Sequence, residues 1–145
     1  MSEIKPSARR KARRFAMQGL YQWQMTGTPV LEIEKQFLEE NDMKKVDMIY
    51  FRELLRGVTT SLDMIEGHLA KHLDRKLSEL DPVTEAILRL GTFELLKRID
   101  IPYRVVINES IELAKDFGSE DSHRYVNGIL DKLSQDLRAV EIKAR

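Results

Sequence analysis

The sequence has no cysteine among its 145 residues, and it has only four prolines. The absence of cysteine excludes disulfide bonds, thiolate catalysis and cysteine-ligated metal centres, and it fits a reducing compartment. No apolar run approaches the roughly 20 residues that a membrane-spanning helix needs. Gln18 and Gln22 interrupt the apolar stretch after the basic N-terminus, so this stretch is unlike a signal-peptide core. We therefore expect a soluble, cytoplasmic protein.

Catalytic motifs are also scarce. The sequence has no glycine-rich phosphate loop after a strand and no G-x-S-x-G turn. His68 and His72 stand one helical turn apart, a spacing that can bind zinc. However, Leu69 occupies the position of the general-base glutamate in zinc proteases, and no third ligand follows by spacing. His123 lies beside Glu120 and Asp121 and could act as a general base, but the sequence offers no credible nucleophile arrangement nearby. We predict no enzymatic activity, no cofactor and no metal site.

Strand patterns are missing as well, because no run alternates apolar and polar residues between hairpin turns. Apolar residues instead recur at helical spacing, which predicts an all-α fold in one domain, 1–145. We expect flexible ends at residues 1–6 and from about 138 to 145. The predicted helices cover about 8–25, 29–40, a stretch after Asp47 that reaches Leu62, 68–73, 82–98, 102–117 and 122–133, with a further turn at 76–80.

Glycine and proline place several helix ends. Gly27 is a predicted C-cap, and Gly67 predicts a bend. Thr28-Pro29 and Asp81-Pro82 both match the pattern of a capping residue followed by proline at the first helical position. The helix after Asp81 has apolar residues around most of its circumference, so we expect it to be the central, most buried helix.

Four other glycines, Gly19, Gly57, Gly91 and Gly128, lie inside predicted helices. Each costs about 1 kcal/mol relative to alanine in a helix interior. Such a cost is commonly offset where two helix axes cross so closely that no Cβ fits. We therefore predict close helix crossings at all four positions.

Charge is balanced overall, with 24 basic and 24 acidic residues, but it is unevenly distributed. The first 25 residues hold six basic residues against one acidic residue, Glu3, so the rest of the chain has an acidic excess of five. A neutral protein with a basic end can bind a polyanion there and a basic partner elsewhere.

The basic residues lie on a predicted helix with two unlike faces. Its apolar face comprises Ala12, Phe15, Ala16, Gly19, Leu20 and Trp23. Its polar face comprises Arg10, Arg14, Gln18 and Tyr21, flanked by Arg9, Lys11 and Arg13. Guanidinium groups match phosphate geometry, and a tyrosine ring can stack on an unpaired base. The helix is therefore suited to nucleic-acid binding, and a merely solvated charged face is the alternative that the helix alone leaves open.

Four segments in order resemble one family. They are ARRKARRFAMQGLYQWQ at the start, VDMIYFRELLRGV in the middle, LRLGTFELLKR after it, and IPYRVVINESIELAKDFGSEDSHRYVNGILDKL at residues 101–133. Together they resemble the bacterial transcription antitermination factor NusB family over nearly the whole chain. The resemblance implies a compact fold of about seven helices in two bundles packed at a steep angle, without catalytic activity.

The resemblance also implies partners. Family members pair with NusE, a small-subunit ribosomal protein, and the pair binds boxA RNA in the leaders of ribosomal RNA operons. With other Nus factors and the RNA polymerase elongation complex, it promotes transcription through terminators. Expected RNA contacts are Arg9, Arg10, Lys11, Arg13, Arg14, Gln18, Tyr21, Asp121, Arg124 and Tyr125. The expected NusE surface includes Pro82, Thr84 and Glu85, and some relatives have an acidic residue where this chain has Thr84.

Two alternatives remain at this point. The first is a helical scaffold that binds proteins without touching RNA. The second is a helical RNA-binding domain of the kind that adjoins a methyltransferase, although these 145 residues contain no cofactor domain.

Overall fold

A computed structural model describes residues 5–144, which form eight α-helices and one 3₁₀ helix, Leu77–Glu79, and contain no strand. The all-α prediction is confirmed. No helix in the described part is both long and apolar enough to span a bilayer. The chain divides into two compact units, Met1–Thr60 and Ser61–Arg145. The helices are α1 (Pro6–Thr26), α2 (Val30–Glu40), α3 (Met48–Thr60), α4 (Leu62–Ala70), α5 (Pro82–Lys97), α6 (Tyr103–Phe117), α7 (Ser122–Leu137) and α8 (Ala139–Lys143).

The first unit is built by α1, which packs against α3 and α2. Gly27 ends α1 in the left-handed conformation, with φ of 71°, and its N–H donates to the Trp23 carbonyl at 2.9 Å, as the predicted C-cap requires. Asp47 caps α3 by accepting from the Tyr50 N–H at 3.0 Å. The fully buried side chains of this core include Ala12, Ala16, Leu20, Ile33, Phe51, Leu54, Leu55 and Val58.

The second unit is organised around α5, which packs against α4, α6 and α7. Its eleven buried residues, of sixteen in the helix, confirm the prediction that this helix is the most buried. The predicted start is also confirmed, because Pro82 opens the helix and the Asp81 carboxylate accepts from the Thr84 N–H at 2.9 Å. A capping carboxylate of this kind contributes about 1 kcal/mol.

Three local predictions are corrected. Pro29 occupies the N-cap position itself and α2 begins at Val30, so Thr28 is not the cap. Gly67 does not bend the chain, because α4 runs through it. A helix, α8, lies where we expected a flexible end, and Arg138 before it is buried. The expectation for residues 1–4 lies outside the described residues.

The close-packing prediction holds at two glycines and fails at a third. A Cβ on Gly19 would lie 3.1 Å from Leu55 Cδ1, and one on Gly91 would lie 2.9 Å from Leu130 Cδ1. Gly128 is exposed, and a Cβ there would have no neighbour within 4 Å. The helix α7 therefore contains an interior glycine that no helix crossing requires.

Replacing Gly128 by alanine is expected to raise the free energy of unfolding by about 0.5–1 kcal/mol, because alanine restricts the unfolded chain and meets no atom in the folded one. Gly91→Ala is the matched control and should destabilise by about 1–3 kcal/mol through overpacking. Urea denaturation followed by circular dichroism measures both. Destabilisation by Gly128→Ala would show that the space beside α7 is occupied.

Candidate nucleic-acid interface

The polar face of α1 points to solvent as predicted. Arg10 is exposed, Tyr21 retains 39% exposure, and Arg14 and Gln18 are half-buried. The Gln18 side-chain amide donates to the Arg14 carbonyl at 3.1 Å, so its side chain lies along the helix. Lys11, on the flank, is also exposed. Three cationic groups and one aromatic ring therefore lie on the accessible side of a single rigid element.

Arg9 and Arg13 lie differently from the rest of the basic set. Arg13 is only 4% exposed, and its guanidinium lies 5.5 Å from the centre of the Tyr50 ring. The Arg9 guanidinium lies 4.9 Å from the same ring, and its Nε is 3.9 Å from the Asp47 carboxylate. Two cations thus pack on one buried aromatic ring of α3. Their positions fit a role in joining α1 to α3 better than the expected role in contacting RNA.

A signal for this inward position was present in the sequence. Arg9, Arg13, Ala16 and Leu20 follow one another at spacings of four, three and four, which is the spacing of a buried helical stripe. The sequence analysis nevertheless placed both arginines on the flanks of the polar face. A buried tyrosine in the facing helix makes such a position tolerable for arginine, since the long side chain packs on the ring.

In the second unit, the residues expected from the family lie at the start of α7. Asp121 and Arg124 are exposed. Tyr125 is half-buried, and its hydroxyl donates to Asp74 Oδ1 at 2.9 Å. The guanidinium of Arg75 lies 5.7 Å from the centre of the Tyr125 ring. Asp74 and Arg75, in the loop after α4, therefore contact the hydroxyl and the face of the Tyr125 ring. The sequence analysis did not predict these contacts.

Asp74, Arg75 and Tyr125 affect one another's pKa values. The Arg75 guanidinium, followed by the Tyr125 hydroxyl, lowers the pKa of Asp74 to about 2 through hydrogen bonds. Burial, reinforced by the hydrogen bond to Asp74, raises the pKa of Tyr125. Asp74 thus remains charged and Tyr125 remains neutral across the physiological range, so the pair keeps the orientation of the tyrosine ring at any pH near 7.

The residues that the resemblance assigned to NusE lie at the start of α5. Pro82 is half-buried, but Thr84 is only 3% exposed, and its hydroxyl donates to Asp81 Oδ2 at 2.7 Å. The Thr84 side chain is therefore buried and supports the cap, so its expected contact with NusE stays a prediction that its burial does not favour. Glu85 is half-buried and lies 2.9 Å from Arg89 Nη1. Burial raises the pKa of Glu85 and Arg89 opposes this shift.

Of the two histidines at zinc-binding spacing, His72 takes part in a contact within the second unit. His72 Nε2 lies 2.7 Å from Asp136 Oδ2, which connects the end of α4 to α7. Within residues 5–144, no three histidine, cysteine or acidic side chains gather in a way that could hold a metal ion.

The fold and this surface define a class: a small all-helical protein whose most basic helix presents arginine, lysine and tyrosine to solvent. Comparison with known proteins specifies the class further. The sequence profile of the NusB family matches residues 10–135. The chain belongs to the NusB family.

Relatives and solved structures agree with this assignment. The transcription antitermination protein NusB of Alcanivorax borkumensis is 58% identical over 97% of this chain and 93% of its own. That of Pseudomonas savastanoi is 59% identical over 97% of this chain and 85% of its own. The structure of T. maritima NusB matches with a TM-score of 0.77 at 33% identity, over 92% of this chain and 93% of that one.

One solved structure contains partners. It holds the antitermination factors NusB and NusE with double-stranded RNA, and it matches with a TM-score of 0.84 at 27% identity. The match covers 91% of this chain and 99% of that one.

Proposed function

We propose that this protein is a non-catalytic transcription antitermination factor that binds boxA RNA of ribosomal RNA operon leaders together with NusE. The observation that carries the proposal is the accessible basic and aromatic side of α1, formed by the exposed Arg10, Lys11 and Tyr21 with the half-buried Arg14. In this role it joins the RNA polymerase elongation complex and other Nus factors in the cytoplasm and promotes transcription through terminators.

The chemistry of α1 supports RNA as the ligand. Cations near a helix N-terminus oppose the helix dipole, and α1 has no acidic residue in its first turn to offset them. Phosphates that bind there would relieve this repulsion. Tyr21 offers a ring that can stack on an unpaired base, which contributes roughly 1–3 kcal/mol per base. A single strand uses both kinds of contact, because its bases are available to the ring.

The second unit contributes its own candidate contacts. Arg124 supplies an exposed cation at the start of α7, and Arg75 and Asp74 hold the Tyr125 ring in one orientation. For NusE we propose the exposed parts of Pro82 and Glu85, with Thr84 acting from beneath by supporting Asp81. The acidic excess outside residues 1–25 would favour a basic ribosomal protein as the partner.

A titration of labelled boxA-type RNA tests this function. The RNA is offered as a single strand and as a duplex of the same sequence, with and without NusE, at two salt concentrations. We expect single-strand binding that weakens with salt and that tightens when NusE is present, because both proteins then hold one strand. The alternative of a scaffold that binds only proteins predicts no salt-sensitive RNA signal in any of these mixtures.

A further inference from the structure

A cleft beside the polar face of α1 extends past the proposed RNA contacts of this helix to residues that have no role so far. It has a volume of about 440 Å³ and lies between α1 and the turn that joins α2 to α3. Lys11, Arg14 and Gln18 line its α1 side, and Lys45 lines the side of the turn. Small-molecule sites commonly occupy about 300–1,000 Å³, so the cleft is large enough for one nucleotide.

The turn that carries Lys45 is fixed to α1. The Asp47 N–H donates to the Ala8 carbonyl at 3.2 Å, and the Val46 N–H donates to the Met43 carbonyl at 3.1 Å. Val46 itself is 9% exposed. These contacts fix the backbone on the C-terminal side of Lys45, so that the exposed Lys45 side chain starts from a held position across the cleft from α1.

The lining is cationic with an apolar wall. Three cations face the cleft, and Asp42 is the one acidic residue in its lining. The Asp42 carboxylate already accepts from the Lys44 N–H at 3.0 Å within the turn. Phe15 and Val46 supply the apolar surface, and the Phe15 ring packs edge-on against Phe37 at 6.1 Å. A phosphate suits the cations, and a base suits the aromatic wall.

We propose that this cleft binds one nucleotide of a single-stranded RNA, with its phosphate between Lys11, Arg14 and Lys45 and its base against Phe15. The proposal rests on the proposed function and extends it. It makes Lys45, which lies outside the basic helix, a further RNA contact. The bound strand would then leave α1 along the turn between α2 and α3.

The chain offers a matched pair of variants for the test. Lys44 and Lys45 are neighbouring exposed lysines of the same turn, and only Lys45 lines the cleft. Lys45→Ala is expected to weaken binding of single-stranded boxA-type RNA about threefold to tenfold at low salt. It should also reduce the slope of log K against log salt by about 0.7, the value for one phosphate contact. Lys44→Ala should leave both quantities close to those of the unaltered protein.

The outcomes separate this proposal from the proposed function. If RNA binding depends on salt but is equally affected by Lys44→Ala and Lys45→Ala, the proposal that the cleft binds a nucleotide is contradicted. The proposed function would remain intact. No RNA binding by the unaltered protein would overturn both. Melting temperatures of the two variants, measured in parallel, should agree with each other, because both side chains are exposed. A loss of binding by Lys45→Ala accompanied by unfolding would likewise count against the cleft.

Discussion

Replacing Arg138 by alanine is expected to lower the free energy of unfolding by about 3–5 kcal/mol, more than most single substitutions do. Arg138 is 4% exposed, and its guanidinium forms a 2.6 Å ion pair with Glu141. The same guanidinium donates at 2.9–3.2 Å to the carbonyls of Glu94, Leu95, Arg98 and Ile101.

The size of this effect follows from where those carbonyls lie. Leu95 lies in the last turn of α5, where carbonyls lack the usual partner within the helix. The carbonyls of Glu94 and Arg98 each accept a second bond, from the backbone N–H groups of Arg98 and Ile101 at 3.0 Å. Alanine would leave the buried Leu95 carbonyl without this donor, at about 1–3 kcal/mol for an unsatisfied group. The Glu141 carboxylate, which also accepts from the Tyr103 N–H at 3.0 Å, would lose its cation.

Chemical denaturation of Arg138→Ala, Arg138→Lys and a surface control, Lys132→Ala, measures the effect. The lysine variant should recover only part of the loss, since an ammonium group has three donors and cannot reach four carbonyls as the guanidinium does. Lys132 is exposed on α7, and its removal should change stability by less than about 0.5 kcal/mol. A loss below about 1 kcal/mol for Arg138→Ala would mean that water replaces the guanidinium at these carbonyls.

The second large effect concerns RNA. The double variant Arg10→Ala with Arg14→Ala is expected to bind single-stranded boxA-type RNA about 10- to 100-fold more weakly at low salt, because two charge-assisted phosphate contacts are lost. Its melting temperature should remain close to that of the unaltered protein, since the apolar face of α1 is unchanged. A charge-matched control, Lys35→Ala with Lys132→Ala, removes two exposed cations from α2 and α7. It should reduce binding much less.

A stability effect would lead to a different conclusion. If the Arg10 and Arg14 substitutions unfold the protein and RNA binding falls only in proportion, these arginines act in folding, as we infer for Arg9 and Arg13 from their contacts with Tyr50. Fluorescence anisotropy for binding and circular dichroism for melting, on the same samples, separate the two cases.

Much of the fold could be predicted from local signals. The cap at Asp81, the C-cap at Gly27 and the apolar circumference of α5 each depend on a few neighbouring residues, and the structure confirms all three. The outward direction of Arg10 and Tyr21 followed in the same way from helical periodicity. Such properties belong to one helix and are visible without its neighbours.

The predictions that failed depended on residues that lie far away in the sequence or in other helices. Arg138 looked like part of a frayed end because its partners are carbonyls about 40 residues earlier in the chain, which no local pattern records. Arg13 is buried because α3 places Tyr50 beside it. Gly128 was expected at a helix crossing, but whether a neighbour lies there depends on packing between helices. Charge and residue type alone predicted the wrong environment in each case.

The salt dependence of RNA binding tests the central claim, that cations on the outer face of α1 hold a phosphate backbone. The measurement is the slope of log K against log salt for the unaltered protein and for the Arg10→Ala, Arg14→Ala variant. We predict a clearly negative slope for the unaltered protein and a slope shallower by about 1.4 for the variant, because single-strand contacts contribute about 0.7 each. Two parallel lines, or a flat line for the unaltered protein, would contradict the account.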